Sequence, residues 1–216
     1  MANKSPYTLR QPELLHFPDR EGRIWQGCSR TWLSSEDRRK TGSATAAAQL
    51  AYLSTTQMAL SPLYPHTRRS AEALAAYMET LSLHFPADRG GLTSPHTFIT
   101  GIRAFAAQRG RILHTRELDV PRFRIARPSF SQCAAFLRTG LSANCPIAFL
   151  SLSRGRTLHL ENREWVLITA LEEQTAGRFL CTVLKDGRAR AVDLQLWYQT
   201  TRAGGMMVYF LRDNAT

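Results

Sequence analysis

Four cysteines are the residues best suited to covalent chemistry in this chain: Cys28, Cys133, Cys145 and Cys181. A cysteine acts as a nucleophile or metal ligand in its thiolate form, which needs a nearby base, cation or metal. No two of them form a C-x-x-C pair, so their spacing favours neither a zinc site nor a thioredoxin motif. We therefore expect free thiols, no metal site and no cofactor, with Cys133 and Cys181 packed in apolar segments.

The chain is strongly basic, with a net charge of +11 from 25 arginines, 3 lysines and 17 acidic residues. Such charge can mark a nucleic-acid partner, but the arginines are scattered and accompany no known binding motif. Nucleic acid is therefore an unfavoured partner. No apolar run approaches the ~18 residues that a membrane helix needs, and the N-terminus lacks an apolar signal core. We expect a cytoplasmic protein without membrane insertion.

Hydrophobic periodicity changes along the chain. Residues 1–22 are expected to form an arm with little regular structure, followed by one domain over residues 23–216. Apolar spacing and Gly or Pro stops predict four helices, at about Thr41 to Gln57, Ser70 to Leu83, Ser94 to Gly110 and Phe130 to Arg138. Short apolar or alternating runs then predict strands at Pro146 to Leu152, Trp165 to Leu171, Arg178 to Leu184, Arg188 to Leu194 and Met206 to Leu211. Asp186-Gly187 is a hairpin turn signal, and helices followed by an antiparallel sheet define an α+β domain.

Short stretches at the ends of these elements carry a family resemblance. Gly42-Ser43-Ala44-Thr45-Ala46-Ala47-Ala48 opens the first long helix, Glu164-Trp165-Val166 enters a strand, and Asp193 to Phe210 closes the chain. They resemble the bacteriocin-processing group of papain-like cysteine peptidases, in which Gly-Cys-Gly-Pro-Thr-Thr-Ala-Ala opens the helix and His-Trp-Val enters the strand. The resemblance runs from about residue 23 to 211. It implies a papain-like fold, with a helical first half packed on an antiparallel sheet.

The resemblance also implies which positions would carry the chemistry of the family. The nucleophilic cysteine falls on Ser43, the histidine base on Glu164, the orienting acid on Asp186 and the oxyanion glutamine on Arg30. A thiolate forms because an imidazole takes its proton, and a carboxyl group with a pKa of about 4.3 is a weak base for serine. These replacements predict a degenerate peptidase that keeps the cleft without ordinary peptide hydrolysis.

Three functions stay open on the sequence alone. The first is a degenerate cleft that binds a peptide, a small ligand or another protein. The second is an active hydrolase or acyltransferase with a rearranged or engineered nucleophile, using Ser43 or Cys28, with His159 as a displaced base. The third is a basic nucleic-acid-binding protein. Within the cleft, Arg30 beside a helix N-terminus would suit a small anion, but we expect it to pair with Glu164 instead.

Each candidate residue also has a plain structural explanation. Ser43 is a common residue type at a helix start, and Glu164 is a charge at the start of a strand. Asp186 is a frequent residue in a two-residue turn. The tryptophans Trp32, Trp165 and Trp197 are expected to pack the cleft walls and the core.

Overall fold

A computed structural model describes residues 6–32, 40–86, 92–174 and 177–213. The α-helices in these ranges are α1 Lys40–Thr56, α2 Ala71–Ser82, α3 Pro95–Gln108, α4 Phe130–Ser142 and α5 Leu194–Thr200. The strands are β1 Tyr7–Thr8, β2 His16–Pro18, β3 Ile24–Gln26, β4 Leu113–Val120, β5 Ile147–Ser151, β6 Glu164–Glu173, β7 Phe179–Lys185, β8 Arg188–Asp193 and β9 Gly205–Arg212. No helix within the described ranges is long and apolar enough to cross a bilayer.

The main sheet is antiparallel in every strand pair, in the order β4-β9-β5-β6-β7-β8, and β1 pairs with the later part of β6. The strands β2 and β3 form a separate two-stranded hairpin. Helices together with an antiparallel sheet confirm the predicted α+β class. Within this sheet, β7 and β8 form the predicted hairpin, and its turn falls on Asp186-Gly187.

Strand β6 lies at the centre of the domain and is covered on both faces. Its residues 164–169 are all buried, and successive side chains of a strand point to opposite faces. Helices α1 and α4 both pack against β5 and β6. Helix α1 is buried almost all round, and the fully buried Gln49 donates to the carbonyl oxygens of Pro146 and Val208 at 2.8 and 3.3 Å. This polar anchor holds α1 in a fixed position over the sheet.

The predicted N-terminal arm is part of the folded domain. Residues 7–18 contain two short strands and a 3-10 turn at Pro12–Leu15. Leu9, Leu15 and Phe17 are buried in the core, and Phe17 pairs with Trp25 in the β2–β3 hairpin. The hairpin therefore crosses the domain boundary that was predicted between residues 22 and 23. The few apolar residues of this segment show no helix or strand period in the sequence. Their burial comes from contacts with distant elements, which the local sequence does not reveal.

Besides the three short N-terminal strands β1, β2 and β3, one strand and one α-helix of the described residues were absent from the prediction. Strand β4 carries charged or polar side chains at most of its positions, because it is an edge strand that pairs only with β9. Helix α5 has seven residues, too few for a helical period to be visible. It is capped by Asp193, whose carboxylate accepts the N–H of Leu196 at 2.8 Å. Helix α4 also runs past the predicted stop at Gly140 and ends at Ser142.

Candidate functional site

The first turns of α1, the start of β6 and the β7–β8 hairpin meet at a small open cleft, with a cavity volume of about 30 Å³. Three of the four predicted site residues line it: Arg30, Glu164 and Asp186. The helix and the strand are joined directly, since the backbone N–H of Trp165 donates to Oγ1 of Thr41 at 3.2 Å. The tertiary structure thus brings together residues that lie more than 150 positions apart in the sequence.

Ser43 is the predicted site residue that the structure does not place in the cleft. The helix α1 residues that line the cleft are Thr41, Ala44, Thr45 and Ala48. A helix turns about 100° per residue, so Ser43 lies about 200° around the axis from Thr41. Its side chain is buried on another face of α1, with 2% of the residue exposed. The nucleophile assignment to Ser43 is therefore not supported by its position.

Thr41 is the helix residue at the cleft that the sequence comparison missed. Placing the family stretch Gly-Cys-Gly-Pro-Thr-Thr-Ala-Ala two positions earlier aligns its cysteine with Thr41 and its second glycine with Gly42. That placement has four identities, whereas the placement on Ser43 has two. Gly42 also has a packing reason to be small, because a Cβ there would lie 2.5 Å from Cδ2 of Leu92.

Trp165 forms a rigid wall next to the cleft. It is 3% exposed, and its indole N–H donates to the carbonyl oxygen of Leu92 at 2.5 Å. Its ring stacks on Phe98 with the centroids 4.0 Å apart. Trp197 is fully buried and Trp32 packs against the core, as was expected for these tryptophans.

Glu164 is held by contacts to both of its carboxylate oxygens. Nζ of Lys185 lies 3.0 Å from each oxygen, and the backbone N–H of Glu161 donates to Oε2 at 2.7 Å. The Glu164 side chain is 4% exposed. Burial raises the pKa of this carboxyl group, and the neighbouring Lys185 opposes that effect. Lys185 is thus the cation that balances the charge of this buried carboxylate.

Arg30 pairs with Glu161 and Asp186, not with Glu164 as was predicted. Its guanidinium donates to both carboxylate oxygens of Glu161 at 2.8 and 3.0 Å, and Nε lies 3.2 Å from Oδ1 of Asp186. The pairing with Arg30 holds the pKa of Glu161 to about 2. The physical reason for the difference is that Lys185, on the strand paired with β6, is already bound to Glu164.

These contacts form one continuous network, because Lys185 also donates to Oε1 of Glu161 at 3.0 Å. The network, named here the cleft ion network, has two cations and three carboxylates: Arg30, Lys185, Glu161, Glu164 and Asp186. Its formal charge with all groups ionised is −1. A small anion in the cleft would have to compete with Glu161 and Asp186 for Arg30. Asp186 serves as the turn residue of the hairpin, with a φ of 48°, and as a partner of Arg30.

Cys28, the suggested displaced nucleophile, lines the cleft, but its thiol is buried and its pKa is raised. All four cysteines are free and buried. Burial raises the pKa of Cys28 and Cys181 well above the ordinary range, and it raises those of Cys133 and Cys145 to about 11. Such thiols stay protonated and unreactive at neutral pH. His159, the suggested displaced base, is exposed and does not line the cleft.

Comparison of the chain with protein-family models and with curated proteins finds no match. The chemistry of the cleft is therefore inferred from its own residues and their contacts.

Proposed function

We propose that this protein is a catalytically degenerate relative of the papain-like cysteine peptidases that binds a peptide or protein segment in its cleft instead of cutting it. The observation that carries the proposal is the state of Glu164, at the position where the family has its base. Both of its oxygens are bound, by Lys185 and by the N–H of Glu161. A carboxylate paired with a lysine ammonium is a weaker base than an imidazole, and it cannot supply the imidazolium that stabilises a thiolate in this family.

The relation between helix and strand supports the papain-like part of the proposal. In a papain-like cleft, the nucleophile stands at the start of a helix and faces the base at the start of a strand. Here, the first turn of α1 contacts the start of β6 through Thr41 and Trp165. Asp186 and Arg30 lie at the same cleft. Thr41 and Glu164, which both line the cleft, lack the thiol and the imidazole that the reaction requires.

The lining of the cleft indicates what would bind. Four apolar side chains line it, beside the hydroxyls of Thr41 and Thr45: Ala44, Ala48, Leu167 and Leu184. Its rim carries the cleft ion network, which has one more carboxylate than cations. An apolar side chain next to a positive charge complements both features, as in a peptide with a hydrophobic residue beside Lys, Arg or a free N-terminus.

A peptide-binding experiment tests the binding part of the proposal. Fluorescence polarisation with two peptide pools, one pairing apolar residues with lysine and one with glutamate, should show binding of the lysine pool. Ala44→Leu fills the part of the cleft that is lined by apolar side chains, and it should weaken that binding at least ten-fold. Ala76→Leu, on an exposed position of α2, is the matched control and should leave it unchanged. Equal binding by both variants would place the peptide elsewhere on the protein.

A thiol-labelling experiment tests the papain-like geometry. The double variant Thr41→Cys, Glu164→His should react rapidly with iodoacetamide at pH 6, because the imidazole stabilises the thiolate. Thr41→Cys alone should react slowly, since an unassisted thiol has a pKa near 8.5. The matched control is Ser43→Cys with Glu164→His, which should also stay slow because position 43 faces away from the cleft. Equal rates for the two double variants, or robust peptide cleavage by the parent protein, would contradict the proposal.

A further inference from the structure

Two loops are fixed to the same end of helix α5. The loop 121–127 is attached through Arg127, whose guanidinium donates to the carbonyl oxygens of Tyr198 and Thr201 at 2.9 and 3.0 Å. The loop 152–160 is attached through Ser153, whose carbonyl oxygen accepts from the indole of Trp197 and the hydroxyl of Thr201, both at 3.0 Å. These two loops and residues 199–202 are named here the α5-end surface.

Three large apolar side chains on this surface are almost wholly in water. Ile125 is 100% exposed, Leu158 is 87% exposed and Phe123 is 71% exposed. Exposure of this degree costs free energy for each side chain, because apolar surface is more stable away from water. The loops that carry them are held by hydrogen bonds to a helix end, so the exposure belongs to an ordered part of the fold.

The charged side chains that these two loops and α5 carry have one sign. Residues 120–160 and 194–204 contain no Asp or Glu. The exposed arginines of the surface are Arg122, Arg124, Arg154, Arg156 and Arg202. None of them forms an ion pair with a carboxylate of the described residues, in contrast to the compensated charges of the cleft. The surface therefore combines unpaired cations with exposed aliphatic and aromatic groups.

We propose that the α5-end surface docks on a lipid bilayer that contains anionic headgroups. The arginines bind lipid phosphates and carboxylates, and the side chains of Phe123, Ile125 and Leu158 enter the boundary between headgroups and acyl chains. This is attachment to one side of a bilayer and needs no membrane-spanning helix. Ile125 and Leu158 distinguish this partner from nucleic acid, because bases stack on aromatic rings and gain little from aliphatic side chains. The inference does not depend on the function of the cleft.

Vesicle flotation tests the proposal with the full chain. The parent protein should bind vesicles of phosphatidylcholine with about a third phosphatidylserine, and it should bind pure phosphatidylcholine much more weakly. Arg154→Gln with Arg156→Gln should reduce the affinity about twenty-five-fold, since each arginine near an anionic surface contributes about five-fold. Phe123→Ser with Ile125→Ser should reduce it at least ten-fold. All of these positions are exposed, so the melting temperature should stay unchanged.

Matched variants elsewhere on the protein show whether vesicle binding depends on the α5-end surface or only on the total charge and exposed apolar area of the protein. Arg188→Gln with Arg190→Gln removes the same charge from exposed positions of β8, and it should leave vesicle binding within about three-fold of the parent. Met58→Ser with Leu83→Ser removes two other exposed apolar side chains, 91% and 85% exposed, with no loss of binding. Equal losses in the test and control variants would overturn the proposal. The proposal would also be overturned if the protein bound DNA and not vesicles, and if that binding required the arginines but was unaffected by Phe123→Ser with Ile125→Ser.

Discussion

Nζ of Lys185, at the end of β7, lies 3.0 Å from both carboxylate oxygens of Glu164, at the start of β6. The side chains are 14% and 4% exposed, so this pair is largely removed from water. A buried pair of charges is costly to break from one side, because the remaining charge loses its partner without regaining its hydration. The stability of the cleft therefore depends on keeping both charges or removing both.

Lys185→Met should lower the free energy of unfolding at pH 7 by about 3 kcal/mol, because it leaves Glu164 buried without its cation. Urea denaturation followed by circular dichroism measures the change. The loss should shrink as the pH falls towards 5, since the pKa of Glu164 is already raised by burial and would rise further without Lys185. The double variant Lys185→Met, Glu164→Gln is the control and should recover most of the loss. A double variant as unstable as Lys185→Met alone would contradict this account.

Glu161 should make the protein sensitive to acid. Its pKa is about 2 in the folded state, compared with an ordinary value of 4.5, chiefly because of its hydrogen bonds to Arg30. A carboxyl group with a lowered pKa contributes stability above its unfolded pKa, and this is lost as the pH falls from about 4.5 towards 2. Glu161→Gln should therefore flatten the decline of the melting temperature over this range. Because the side chain is 47% exposed, the effect should be small, and parallel acid profiles would contradict the prediction.

Gly187→Ala should destabilise the hairpin that carries Asp186. The φ of Gly187 is 71°, and an added Cβ would lie 2.2 Å from Cε3 of Trp25. Strain of the backbone and the clash together should cost roughly 2–3 kcal/mol in urea denaturation. Gly22→Ala is the matched control, because Gly22 has a φ of 79° with no heavy atom within 4 Å of the added Cβ. It should lose only about 1 kcal/mol, and equal losses would show that the Trp25 contact is unimportant.

The melting temperature should be the same with and without a reducing agent, because all four cysteines are free and buried. In the native state, none should react with a small aromatic disulfide reagent within minutes at pH 7, since burial raises their pKa values. All four should react after unfolding in guanidinium. Rapid reaction of a single thiol in the native state would reveal an accessible cysteine and revive the possibility of a thiol nucleophile.

Local patterns in the sequence predicted much of the fold. The α-helices α2 and α3, the strands from β5 to β9 and the turn at Asp186-Gly187 each have a signal within a few residues, because periodicity and turn chemistry act over short distances. The start of α1 near Thr41 and the start of β6 near Trp165 were placed within a residue. These elements bring Glu164 and Asp186 to one cleft, whereas Arg30 reaches it on a 3-10 turn after β3 that the sequence did not predict.

Tertiary contacts decided what the sequence left open. A shift of two residues moves a side chain about 200° around a helix, so the choice between Ser43 and Thr41 required the helix in place against β6. The partners of the buried charges are equally non-local: Arg30 binds Glu161, 131 residues away, and Glu164 binds Lys185 from the neighbouring strand. The linear sequence does not show which charged or apolar residues will contact one another in the fold. Only the packing of β6, β7 and α1 determines which oxygens and cations come within hydrogen-bonding distance.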